Sequence, residues 1–190
     1  MNIKQIVSGL AVGISLSVVA VAAQANRTFQ LASPQIQAES TLASYFEFNG
    51  FGCHGENQSP ELHWKNAPQG TKSFAVSVYD PDAPTGSGFW HWYVVNIPQT
   101  VERLAPNAGA ADNANLPQGA FQLRTDYGYH GWGGVCPPTG DAAHRYIFTV
   151  HALNVEKLDV DQNTTTALAG FLVNAHTIGT ASFNAYYQKQ

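Results

Sequence analysis

The chain is expected to be mainly β-structure. Short runs alternate apolar with small or polar residues at the two-residue strand period, loops rich in glycine and proline separate them, and one stretch shows helical spacing. The first strand runs from Ser73 to Tyr79, where Phe74, Val76 and Val78 share a face that Asp80 continues. Pro81, Pro84, Gly86 and Gly88 then end the ladder, since proline lacks a donor and glycine tolerates positive φ. A second strand spans Trp90 to Ile97, with His91 at its start. In the third, His144 to Leu153, the period puts His144, Tyr146, Phe148 and Val150 on one face and Arg145, Ile147 and Thr149 on the other. A fourth covers Ala181 to Tyr187. The helix follows Asp161-Gln-Asn163, with Asn or Thr as its cap, and Leu168, Phe171, Leu172 and Ala175 form the stripe expected to pack on a sheet. Val101 to Leu123, rich in Ala, Asn, Gly and Pro, reads as a surface excursion.

The amino terminus predicts the compartment. A short positive start, an apolar run from Ile6 to Ala23 and the small residues of Ala23-Gln-Ala25 have the pattern of a signal peptide cleaved after Ala25. The run also approaches the length of a membrane anchor, about 18 to 20 residues. No cysteine follows it to carry a lipid, and no second long apolar stretch occurs. Residues 1–25 are therefore expected to be removed, leaving 26–190 as one domain in the periplasm or secreted. Cys53 and Cys136 are the only cysteines. In an oxidising compartment a structural disulfide between them is expected, with a redox pair or soft-metal ligands as the alternatives.

The junctions between loops and strands carry the chemistry. Asp80, His91, His144 and Tyr146 bring a carboxyl, two imidazoles and a phenol to strand ends, the composition of a small polar pocket. Asp82 is read as closing a turn and Arg145, of opposite parity to His144, as making a structural ion pair. The motifs Asp80-Pro-Asp-Ala-Pro84, Cys136-Pro-Pro-Thr-Gly140 and His144-Arg-Tyr146 accompany Asn49-Gly-Phe-Gly-Cys53 and Ser59-Pro-Glu-Leu-His-Trp64. Together they resemble the phosphatidylethanolamine-binding protein family, most closely its bacterial Raf-kinase-inhibitor-like branch. The resemblance implies a large antiparallel sheet with a smaller second sheet and a few peripheral helices. It also implies an anion pocket built from Asp80, His91, Pro138, His144 and Tyr146. The position before Gly133-Gly134, often tyrosine in that family, is Trp132 here, so a more apolar pocket mouth is expected.

Composition narrows the function classes. A net charge of −4 with scattered lysines and arginines excludes a nucleic-acid footprint. No HExxH, nucleophile elbow or phosphate-binding glycine loop occurs, so neither enzyme activity nor a cofactor is expected. Asp80, His91 and His144 form a conceivable two-histidine, one-carboxylate set, yet no stable metal is expected. The leading expectation is an exported binding protein for phosphate, a phospholipid head group or a carboxylate-like ligand. The alternative is a secreted interaction or inhibitor protein acting on a protease or another protein partner.

Overall fold

A computed structural model describes residues 28–190; the expected signal peptide lies outside the described residues. Ten strands and one α-helix follow in the order β1 (Gln30–Ala32), β2 (Asn49–Gly50), β3 (Cys53–His54), β4 (Leu62–Lys65), β5 (Ser73–Asp80), β6 (Phe89–Pro98), β7 (Arg103–Leu104), β8 (Phe121–Gln122), β9 (His144–Leu153), α1 (Thr166–His176) and β10 (Thr177–Tyr187). The large sheet has the order β10-β9-β5-β6-β8 with every pair antiparallel. A smaller sheet, β1-β4-β7, and the hairpin β2-β3 complete the strands. The expected architecture is thus present, with one α-helix and a single 3-10 turn at Ser44–Phe46 among the described residues.

The alternation along the strands divides the core in two. Phe74, Val76 and Val78 of β5 join Trp92 and Val94 of β6 and Tyr146, Phe148 and Val150 of β9, and they pack against Leu31, Leu62, Trp64 and Leu104 of the small sheet. Ala75, Tyr93, Val95 and Leu153 point the other way, toward Ala169 and Val173 of α1. The central strands are apolar on both faces because both are covered. The β5–β6 register shifts twice, between Phe74 and Val76 and between Val78 and Tyr79, where His91 is the extra residue. Phe74 pairs with Ile97 but Val76 with Val94, a bulge at which Asn96 takes φ 56° and its side-chain oxygen accepts from Leu158 N–H at 2.7 Å. The Val101 to Leu123 excursion is turn-rich, yet it is nailed down by the buried Leu104, Ala108, Gln122 and Leu123.

The helix corrects part of the expected stripe: Leu172 packs against the buried cluster, whereas Leu168, Phe171 and Ala175 face outward. Thr165 caps the helix by accepting from Leu168 N–H, and Thr166, Ala169 and Val173 are buried. Leu168 and Phe171 are 52% and 69% exposed. The small Ala169 and Val173 pack with Tyr93, Val95 and Leu153, so size along the sequence was a poor guide to which face packs. The Cys53–Cys136 disulfide joins β3 to the loop ahead of Pro137 across 83 residues, a closure that stabilises by about 4 to 5 kcal/mol in the chain-entropy model.

The two faces of α1 are separable by unfolding measurements. Val173→Ala is expected to cost about 2 kcal/mol, and Phe171→Ser less than about 0.5 kcal/mol. Equal losses would reverse the assignment of faces.

Candidate functional site

Antiparallel pairing assembles the site. The carboxyl end of β5 lies beside the amino ends of both neighbours, β6 and β9, since each runs against it. Asp80 ends β5 opposite Phe89, His91 lies early in β6, and His144 opens β9, so all three gather at one end of the large sheet. All three are buried. A cavity of about 520 Å³ opens there, with Asp80, His91, Pro138 and His144 in its wall beside Tyr127 and Phe51.

Asp80 organises this end through both carboxylate oxygens. Oδ1 accepts from the N–H groups of Asp82 and Ala83 at 2.8 and 3.0 Å, which folds the turn back on the strand. Oδ2 accepts from His144 Nδ1 at 2.8 Å and stands 4.0 Å from His91 Nε2. Thus Asp80 holds the turn, and Asp82 does a different job from the one expected of it. Its carboxylate accepts from Arg145 N and Nε at 2.9 Å and from Nη2 at 2.8 Å, and the guanidinium holds the Asp82 pKa down at about 2. The structural ion pair expected of Arg145 is the one formed. His144 Nε2 stands 3.4 Å from Asp141 Oδ2, a carboxylate at the edge of the site.

The tautomer of His91 follows from its neighbours. Nδ1 lies 2.8 Å from Gly133 O and 3.1 Å from Gly134 O, so it carries the proton and Nε2 presents a lone pair when the ring is neutral. Burial pushes the His91 pKa below its ordinary 6.5, against the opposing pull of the Gly133 carbonyl and the Asp80 charge. Tyr127 and Tyr146 meet the ring edge-on, with centroids at 5.6 and 5.1 Å. Tyr146 is fully buried, its hydroxyl lacks a hydrogen-bond partner among the described residues, and it stands behind His91 rather than in the cavity wall.

Trp132 departs from the expectation of a pocket-mouth residue. It is buried in the core, edge-to-face on Trp92 at 5.9 Å and stacked on Phe148 at 6.3 Å, because its large apolar ring fills space between β6 and β9. The aromatics at the cavity wall are Tyr127, Phe51 and Phe89 instead, and Tyr127 donates to Gly134 O at 2.9 Å. Its ring seats directly on Gly133, where a β-carbon would come within 2.1 Å of Tyr127 Cδ2. Lys189, Asp126 and Phe51 also line the cavity and were not singled out from the sequence. Among the described residues no cluster of three or more His, Cys, Asp or Glu has the arrangement of a metal site.

Comparison with known proteins gives a consistent set of matches. Residues 32–188 match the family model described as phosphatidylethanolamine-binding protein. The UPF0098 protein YbcL of Escherichia coli is 51% identical over 179 residues, covering 94% of this chain and 97% of its own. YbhB of the same organism is 46% identical over 158 residues, covering 83% and 99%. The crystal structure of E. coli YbcL, described as a member of the mammalian PEBP family, superposes with a TM-score of 0.85 at 52% identity, covering 86% of this chain and all of that one.

The geometry of His91 is open to nitrogen-detected NMR. The ring is expected to stay neutral, protonated on Nδ1, until the pH is well below 6.5. Titration at or above that value would contradict the burial argument.

Proposed function

The chain belongs to the phosphatidylethanolamine-binding protein family, whose members are binding proteins, and we propose that the cavity at the end of its large sheet receives a small anion: phosphate, a phospholipid head group or a carboxylate-like group. The observation that carries this reading is the shared Asp80 Oδ2. It orients His144 through Nδ1 and stands 4.0 Å from His91 Nε2, so two buried imidazoles stand at one cavity on either side of one carboxylate. Pro138 lines the cavity, and Tyr146 packs edge-on against the ring of His91.

Donor chemistry sets the protonation requirement. With Nδ1–H committed to the Gly133 and Gly134 carbonyls, His91 Nε2 can donate to an anion only after gaining a proton, or it can accept one from a protonated ligand oxygen. In the first case binding takes up a proton that free His91 resists; in the second the ligand brings the proton with it. The surroundings oppose a bare anion: Asp80, Asp126 and Asp141 face or flank the imidazoles, the Tyr127 and Tyr146 phenols are neutral, and Lys189 is the permanent cation in the wall. Against a net charge of −4, local donors must do the binding. The same reading places the protein in the periplasm or outside the cell, supported by the signal-like amino terminus and by a disulfide of the kind that persists under oxidising conditions.

Two titrations with inorganic phosphate test this function. Binding is expected to vanish in His144→Gln and His91→Gln with the fold intact by circular dichroism. In the unaltered protein it should weaken by about ten-fold per pH unit, for each proton taken up, as the pH rises through the histidine range. Binding that ignores pH and both substitutions would refute the imidazole pocket. Asp141 competes for His144 Nε2, so Asp141→Asn is expected to raise phosphate affinity about three-fold. An unchanged or lower affinity would place the anion elsewhere.

A further inference from the structure

The segment that walls the cavity is anchored unevenly along its length. Up to Val135 the backbone is held residue by residue. Gly133 N–H donates to His91 O at 2.8 Å, Gly134 N–H to Asn57 Oδ1 at 2.8 Å and Val135 N–H to Phe46 O at 3.2 Å, while Val135 O accepts from Phe48 N–H at 3.1 Å. From Pro137 to Ala143 that support ends. Among the described residues, the hydrogen bonds from this strap to the rest of the molecule are both at Asp141: its Oδ2 stands 3.4 Å from His144 Nε2, and its carbonyl accepts from Gln188 Nε2 at 3.0 Å. The covalent bond from Cys136 to Cys53 is therefore the tether at the head of the strap.

The strap separates two depressions. Pro137, Pro138 and Thr139 line the cavity, residues 140–143 line a second depression, and His144 lies in the walls of both. On the far side of the bridge is the β2–β3 hairpin, whose turn presents Phe51, another cavity residue, at φ 51° beside Gly52 at φ 77°. One covalent bond thus joins two sides of the mouth. Its sulfurs are unequally placed: Cys53 is 1% exposed, whereas Cys136 is half-buried and belongs to the cavity wall. A thiolate entering from the cavity meets Cys136 first.

We infer that Cys136 is a site of thiol–disulfide exchange with a protein dithiol, and that opening the bridge releases the strap and weakens anion binding. The partner's thiolate attacks Cys136 Sγ, the bond to Cys53 breaks, and Cys53 leaves as a thiolate that takes up a proton. Because the buried Cys53 stays beside the mixed disulfide, a monothiol adduct reverts. A second thiolate on the partner displaces Cys136, which is protonated in turn; the bridge gains two electrons and two protons, and the partner becomes a disulfide. An exported dithiol oxidoreductase has this chemistry. The coupling to binding rests on the anion-pocket reading: if the closed strap favours the anion, the anion favours the disulfide by the same factor.

Phosphate calorimetry on the oxidised protein, the dithiothreitol-reduced protein and the Cys53→Ser, Cys136→Ser double variant tests the coupling. The last two are expected to bind about ten-fold more weakly, since the wall is no longer pre-organised. Dithiothreitol should add nothing in the double variant. Saturating phosphate should shift the equilibrium of the pair with a dithiothreitol redox buffer about ten-fold toward the disulfide. The nitrogen spectrum of His91 is expected to be the same in all three, because the Gly133–Val135 bonds hold its floor without the bridge. Equal phosphate affinity in the oxidised and reduced forms would overturn the inference and leave the anion pocket standing. A His91 spectrum that reverts to that of an unfolded chain on reduction would also overturn it, because the bridge would then hold the whole fold and not the strap. An oxidoreductase whose resolving cysteine is replaced by serine should be trapped on Cys136, and trapping on Cys53 would refute the order of attack. Absence of phosphate binding to the oxidised protein would remove the anion pocket and this coupling with it.

Discussion

The carboxylate of Asp80 is the constraint on which the site depends. It sits where β5 ends, between the starts of β6 and β9, and its two oxygens serve two unlike purposes. One turns the backbone at Asp82 and Ala83 and so launches the connection to β6; the other fixes the ring of His144 across the strand boundary. Burying such a group is costly unless every lone pair finds a donor. The hydrogen bonds that satisfy Asp80 are the same ones that determine loop direction and imidazole orientation, so geometry and desolvation are solved together.

A second level of support surrounds this centre. Arg145 leaves the opposite face of β9 and clamps Asp82 in a bidentate pair, bracing the turn from outside while Asp80 braces it from within. Gly133 and Gly134 give His91 two carbonyls and admit Tyr127 against the backbone. The result is an imidazole confined between two phenol rings, neutral by burial and held on one nitrogen. Pre-organisation of this kind favours a ligand that brings its own proton or stabilises an acquired one.

The strands, and Asp80 and His144 at the floor of the site, were legible in the sequence because they follow the two-residue period, whereas His91 sits at a register shift between β5 and β6. Phe74, Val76 and Val78 carried Asp80 inward with them, and His144 carried Tyr146, since neighbours of equal parity share a face. The helix stripe was legible only at Leu172: Leu168 and Phe171 outweigh Ala169 and Val173 in size, yet the smaller pair is the one that is buried. Trp132 misled for a related reason, because its place beside the glycine pair said nothing of the core space between Trp92 and Phe148. Tyr127 did leave a trace, a tyrosine-rich turn ahead of two glycines, yet only the close approach to Gly133 reveals why both are needed. Phe51 and Lys189 belong to segments about 140 residues apart, and no local pattern joins them.

The position of Lys189 bears on how the protein is handled. Gln190 follows it directly, so a polypeptide joined after Gln190 starts beside the rim of the cavity. A histidine tag or reporter fused there would add imidazoles, charge and bulk within reach of the mouth and compete with any ligand offered in an assay. Fusion at the other end of the described chain starts from Thr28, whose carbonyl accepts from Asn66 Nδ2 and which is absent from the cavity wall. The side chosen for the label therefore decides whether a binding measurement reports the native aperture or an altered one.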